Sequence, residues 1–234
     1  MRRLRSDQAR MHLVMMLALT FTTGIVDAVG YLGLDRVFTA NMTGNVVILG
    51  MALTGATDLP VLGPTVALLA FTLGAGLGGL ALRGARTGWS GRSSTIFALV
   101  GVVLLATGGG SWLRTPVEGT GWGVAVTALI GLAMGAQAAA ARRLSVADVT
   151  TVVVTSTLVG LASESRLAGG TGKNAPRRLL AVLLIGFGAA AGALLLRVDI
   201  ALGLAVAGVL TLAVALLGHV ARERVTTGSP TPRG

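Results

Sequence analysis

The sequence predicts an all-α polytopic membrane protein of about six transmembrane helices plus two shorter re-entrant or half-helix elements. Three observations predict it. Of the 234 residues, 53% are hydrophobic and only 12% are charged, about half the charged share of a soluble domain. Mean hydropathy is +0.80. The charge is also segregated: long apolar runs alternate with short Arg-bearing connectors, as expected where lipid replaces water as the solvent. The whole chain then reads as a single membrane domain. It has a basic tail over 1–10, one half over 11–112, a second over 121–220 and a flexible C-terminal tail over 221–234.

Segment one runs from Met11 to Leu34, segment three from Pro60 to Leu82, and segment four from Thr95 to Trp112. Segment five covers Gly121 to Ala141, segment seven Leu179 to Leu196 and segment eight Ile200 to Val220. Each is near the roughly 20 apolar residues that a spanning helix needs. Segments two (Val37 to Leu53) and six (Val146 to Ala162) are shorter and rich in Thr, and therefore marginal. Residues 1–10 resemble a signal-peptide n-region, but Asp27 interrupts the cleavage site one would draw after Ala28, and many apolar segments follow. An uncleaved first transmembrane helix is expected.

Arginine placement tests whether segments two and six cross. If both are re-entrant, sixteen of the nineteen basic residues collect on one side, in 2–10, 83–92, 142–143, 166–178 and 222–233. Only Arg36, Arg114 and Arg197 remain on the other. The positive-inside rule favours that arrangement over eight crossings. It makes both termini cytoplasmic, and it explains the net charge of +10 without a nucleic-acid partner. Three crossings per half also give the halves opposite orientation, so an internal repeat would be inverted. At an offset of 112 residues, Leu32, Val37, Thr39, Thr43, Val47 and Leu49 match Leu144, Val149, Thr151, Thr155, Val159 and Leu161. These matches fall on or beside the two short segments.

Within segment two, Val37, Phe38 and Thr39 favour extended backbone, Asn41, Thr43 and Asn45 are capping types, and Val46 to Leu53 reads as a short helix. Segment six repeats the pattern with Asp148 to Thr151, then Thr155, Ser156 and Thr157, then Leu158 to Ala162. Two half-helices from opposite faces would bring two positive dipole ends near the midplane, suited to small anions or to neutral polar molecules with acceptors. Asn41, Thr43, Gly44, Asn45, Thr155, Ser156 and Thr157 are the expected substrate-binding residues. On the opposing view these groups only bond neighbouring helices, at about 0.6 kcal/mol each.

Asp27 lies well inside segment one, where an ionised carboxylate costs at least about 2.5 kcal/mol. It is expected to serve ion coupling or to form a charge pair, with Arg36 as the nearest basic candidate. Alternatively, segment one ends at Gly30 and Asp27 sits near the interface. Gln137 is a similar polar intrusion in segment five. Asp35, Asp58, Glu118 and Asp199 read as loop charges, and Asp148 and Glu164 as interfacial.

Enzyme chemistry is not expected. The chain has no cysteine, and His12 and His219 lie at helix ends without a cluster of further ligands, so neither a metal nor a cofactor is expected. Gly74 to Gly79 fits a GxGxxG pattern but sits inside an apolar run, as does Gly186 to Gly192; both read as close-packing helix faces. Gly108 to Gly110 reads as a helix stop.

Gly24-Ile25-Val26-Asp27-Ala28-Val29-Gly30-Tyr31-Leu32, followed by Phe38 to Asn45, resembles the signature of the YoaK-type bacterial membrane family. The resemblance covers essentially the whole chain. It implies a multi-pass protein of the bacterial inner or plasma membrane, sometimes labelled a permease, with no assigned substrate or site residues. The extended-then-half-helix pattern also resembles inverted-repeat transporters of the uracil/sulfate-permease type, which are much longer. The leading expectation is a transporter or channel for a small polar or anionic solute, with its site between the half-helices. The alternative is a non-transporting membrane protein that binds lipid or a partner complex through its basic inner face. A homodimer is compatible with either.

Overall fold

A computed structural model describes residues 2–55, 58–85, 88–144 and 154–227, with side chains from 10 to 222 within those ranges. All the regular structure in it is helical: α1 (Arg2–Gly33), α2 (Met42–Leu53), α3 (Leu62–Ala81), α4 (Gly91–Leu113), α5 (Gly121–Leu144), α6 (Val154–Ser163), a 3₁₀ turn (Arg166–Ala168), α7 (Ala175–Leu196) and α8 (Ile200–Thr227). Among the described residues, six helices are long and apolar enough to cross a membrane, as the sequence predicts. The two short ones are α2, of 12 residues, and α6, of 10. At about 1.5 Å per residue neither reaches the roughly 30 Å of a hydrocarbon core.

Local chemistry sets the ends. Ser90 opens α4, its hydroxyl accepting the Ser93 amide at 3.1 Å. Pro176 occupies the first turn of α7, where a missing N–H costs nothing. Arg142 and Arg143 close α5 at its negative dipole end. Two acids expected as plain loop charges act as caps: Asp35 accepts the Gly63 amide at 3.1 Å, and Asp199 that of Ala201 at 2.7 Å. Three expected boundaries are corrected. α2 starts at Met42 rather than Val46, and α6 at Val154 rather than Leu158. Gly108 to Gly110 do not stop α4, which runs on to Leu113, because Gly108 packs on Ala201 and Leu204 of α8 and Gly110 on Trp122.

The packing is built on glycine. Gly24 of α1 and Gly188 of α7 meet so closely that a Cβ on Gly24 would lie 2.8 Å from the Ala189 amide, and one on Gly192 would lie 2.7 Å from the Ile25 carbonyl. The same contact recurs between α5 and α3, with Gly135 against Phe71 and Ala75, and Gly74 and Gly78 against Leu132 and Ala136. Both glycine-rich runs are thus packing faces. Only part of each is buried, since Gly76, Gly79 and Gly186 have no neighbour within 4 Å. Contact order along these pairs makes α1 and α7 parallel, and α3 and α5 parallel. α4 and α8 run antiparallel, with Gly101 against Gly208 and Gly91 against Arg222.

The Asp35 cap places the start of α3 beside the end of α1, so these two run in opposite directions. α5 opposes α1 as well: Leu34 and Asp35 face Gly123 and Thr127 at one end, and Thr23 meets Gln137 further along. The neighbours follow a pattern. α1 packs with α7 and α8, α5 with α3 and α4, α2 with α3, and α6 with α7. α1 is the most enclosed span, with 78% of its most apolar stretch buried, whereas α7 has 17% and lies at the periphery.

These directions gather Arg10, Arg83, Arg92, Arg142, Arg143, Arg166, Lys173, Arg177, Arg178 and Arg222 at one end and leave Arg36, Arg114 and Arg197 at the other. The basic end is tied together by His12 stacked on Trp89, with ring centroids 5.9 Å apart, and by Arg143 bonding the Ala85 carbonyl at 2.9 Å.

Candidate functional site

The last three turns of α1 and the chain that follows them form one unit. Beyond Gly33 the backbone reverses at Arg36, which has left-handed φ of 48°. It then descends extended along α1. The Val37 amide bonds the Gly30 carbonyl at 3.2 Å, the Thr39 hydroxyl bonds the Val26 carbonyl at 3.3 Å, and the Ala40 amide bonds Asp27 Oδ1 at 2.8 Å. Gly30 allows the approach: a Cβ there would sit 2.5 Å from the Val37 carbonyl oxygen and 2.9 Å from Thr39 Cγ2. At Asn41 the chain turns again, and α2 climbs back toward the end it came from, where Arg36 bonds the Asp58 carbonyl at 3.1 Å. Segment two is therefore re-entrant.

Asp27 is 8% exposed and lies six residues before the end of α1, about 9 Å in. Segment one does not end at Gly30, and Asp27 is not at the helix terminus. Thr39 and Asn41 lie on either side of Ala40, the residue whose amide bonds its carboxylate. That N–H lies two residues before the start of α2, so the carboxylate sits near the N-terminal end of the half-helix. The expected partner Arg36 is turned away toward Asp58, and among the described residues no ion pair joins it to Asp27.

Asn45 is fully buried. Its Oδ1 accepts the Phe38 amide at 2.9 Å and its Nδ2 donates to the Phe38 carbonyl at 2.6 Å, clamping the extended stretch to the first turn of α2. That clamp is why helix begins at Met42, four residues earlier than the Val and Ile run suggests. Phe38 lies over Gly44 and against Tyr31, with ring centroids 4.9 Å apart. Asn41 stands at the N-cap without a side-chain capping bond, and its side chain is exposed, as is Thr43.

In the second half, Thr157 is buried while Thr155 and Ser156 face outward. The Asp148 to Thr151 stretch, and the repeat positions Val149 and Thr151 with it, lie outside the described residues. α6 is held by Arg178, a buried side chain of α7 that donates to the Gly160 carbonyl at 2.7 Å and pairs with Glu164 at 2.8 Å. Gln137 is 1% exposed; its Nε2 reaches Thr23 Oγ1 at 3.5 Å. Asp27, Asn45 and the 38–41 backbone are thus brought together, Gln137 joins α1 one turn away through Thr23, and α2 and α6 lie on separate helix pairs. Thr23 does not stand out in the sequence, and Thr39 does so only as an extended-backbone and repeat position. The signal for Thr23 was its i, i+4 spacing to Asp27, which places both on one face of α1.

Residues 15–217 match the family model described as "Protein of unknown function (DUF1275)". The chain belongs to this family. The UPF0700 transmembrane protein YoaK of Bacillus subtilis (strain 168) is 34% identical to it over 149 residues, covering 62% of this chain and 64% of that protein. The match thus spans less than two thirds of the relative. No solved structure matches. The signature that resembles the YoaK-type family maps onto the unit just described: Gly24 for the α7 contact, Asp27 and Gly30 for the descending backbone, Tyr31 and Phe38 for the aromatic contact, Gly44 and Asn45 for the clamp.

Proposed function

We propose that this DUF1275 member is a transporter of a small polar solute, built from two inverted units, residues 11–112 and 121–220, with its site beside the α1–α5 crossing. Irregular backbone at membrane depth is tolerated only where it is buried in protein or lines a wet cavity, and half-helices in inverted repeats mark substrate sites in transporters. The reading is supported by the exchange of neighbours between the units. α1 packs on α7 as α5 packs on α3, α1 on α8 as α5 on α4, and α2 on α3 as α6 on α7. α1 and α5 run in opposite directions. The observation that carries it is Asp27, a buried carboxylate inside a span, held by the Ala40 amide just ahead of a half-helix.

On this reading Asp27 is the coupling residue, the protein sits in a bacterial plasma membrane with its basic end in the cytoplasm, and no covalent step is involved. The test is flux into proteoliposomes over a panel of small cations, anions and neutral metabolites, with Asp27→Asn alongside. Uptake that falls at least tenfold in Asp27→Asn supports the reading; no flux of any solute by the intact chain overturns it.

A second reading is favoured by the exposed cluster of Arg83, Arg92, Arg142, Arg166, Lys173 and Arg177 at the basic end. It makes the protein a non-transporting binder of anionic lipid or of an acidic partner. Pull-down that is lost on neutralising these residues, together with absent flux, would select it.

A further inference from the structure

The half-helix geometry raises the question of what a solute would find at the α1–α5 crossing. The Ala40 amide, which would otherwise attract an anion, is already taken up by the protein's own carboxylate. One turn along the same face of α1, about 6 Å away, Thr23 donates its hydroxyl to the Leu19 carbonyl at 2.8 Å and accepts the Gln137 amide. Gln137 Oε1 is left without any hydrogen-bond partner among the described residues, although the side chain is 1% exposed. A buried carbonyl oxygen of this kind marks an unfilled acceptor.

The elements around this seam add no opposing charge. The membrane stretches of α5 (Gly121–Ala141), α7 (Leu179–Leu196) and α8 (Ile200–Gly218) contain no titratable side chain, and the nearby Asp35 and Arg36 face Gly63 and Asp58 at the outer end. The seam therefore offers oxygen acceptors, from an amide and a carboxylate, and one formal negative charge offset only by backbone dipoles.

We infer that Gln137 and Asp27, flanking Thr23, form a site for a small monovalent cation, ammonium-type or alkali, rather than for an anion. This deepens the transporter reading by naming its solute class and rests on it only for the direction of use; binding can be measured without flux. An ammonium-type ligand would donate N–H to Gln137 Oε1 and balance Asp27, and an alkali ion would take the same oxygens as ligands.

The test uses the purified full chain in detergent and reads calorimetric binding and thermal shift. The probes are ammonium, methylammonium, sodium and potassium chlorides, against acetate and phosphate as N-methylglucamine salts. At least one of the four cations should bind saturably and raise Tm, and the two anions should not. Gln137→Leu should fold, because it removes an unpaired acceptor, and should weaken that binding at least tenfold. Asp27→Asn should do the same where it folds. Saturable anion binding overturns the inference, and so does cation binding unchanged in Gln137→Leu or no binding of any of the four cations. The two readings separate cleanly: cation binding without flux keeps the site and removes transport, whereas flux of anions alone keeps transport and removes the site.

Discussion

Replacing Asn45 by alanine separates a structural clamp from a substrate ligand. The wild-type side chain is fully buried and spends both its acceptor and its donor on Phe38, at 2.9 and 2.6 Å. Alanine removes both bonds, each worth about 1 kcal/mol net. It also strands the Phe38 amide and carbonyl. Phe38 is only half-buried, so the cost of stranding belongs at the low end of the roughly 1–3 kcal/mol per group. The better helix propensity of alanine returns about 0.5 kcal/mol. The net expectation is a loss of about 3–4 kcal/mol, a large share of a typical total stability of about 5–15 kcal/mol. Asn45→Asp should be no better, since a carboxylate can accept from the Phe38 amide but is repelled by its carbonyl. Reversible unfolding of the purified protein in detergent, by heat or by SDS titration, reads the change. An Asn45→Ala protein as stable as wild type that has nonetheless lost flux would refute the clamp and make Asn45 a solute ligand.

Three further outcomes are expected. Gly24→Val and Gly135→Val should each lower Tm, because either side chain would strike the backbone of the facing helix; overpacking costs about 1–3 kcal/mol or more. Gly79→Leu, with nothing within 4 Å, should leave Tm within error. Arg178→Ala should destabilise by about 1.5–3 kcal/mol, through the lost charge-assisted bond to the Gly160 carbonyl. Glu164→Gln should cost far less, because Glu164 is 59% exposed. Cysteine labelling of the otherwise cysteine-free chain should find Thr54→Cys accessible from one side of the membrane and Ser163→Cys from the other. Thr54 is preferred to its neighbour Gly55, whose φ of 80° would strain any side chain. Labelling of both from the same side would overturn the helix directions.

Much of the fold was legible because its signals are local or additive. Long apolar runs locate the six spans, and the uneven distribution of arginine picks out the two short elements. The start of α2 was not legible. Thr43 and Gly44 are weak helix formers; what begins the helix there is the Asn45 bond to a backbone that must first double back along α1. The partner of Asp27 was hidden for the same reason. A side chain with an acidic group in a span advertises a need for compensation. The nearest cation, Arg36, looks suitable in one dimension, while the backbone amide of Ala40 carries no residue-type signature at all. Asp35 and Asp199 read as loop charges because caps are seen only once the following helix start is placed.

If the two units descend from one plan, scaffold and chemistry have diverged at different rates between them. The glycine contacts repeat: Gly24 corresponds to Gly135, Gly188 to Gly74 and Gly192 to Gly78, each meeting backbone of its partner helix. The polar residues do not. With Gly24 set on Gly135, an offset of 111 rather than the 112 residues read from sequence, the counterpart of Asp27 is Ala138, and the counterpart of Gln137 is Val26. Each unit places one polar group beside the crossing, a charged one on α1 and a neutral one on α5, at adjacent rather than equivalent positions. A purely structural use of these groups would leave them interchangeable with any pair that bonds its neighbours. Gln137→Glu tests this, because it adds a second carboxylate to a seam that has no cation of its own. Under the cation-site reading, Gln137→Glu should tighten cation binding while lowering Tm in cation-free buffer, and added cation should restore much of the loss. A Gln137→Glu protein destabilised equally with and without cation would leave Gln137 as packing alone.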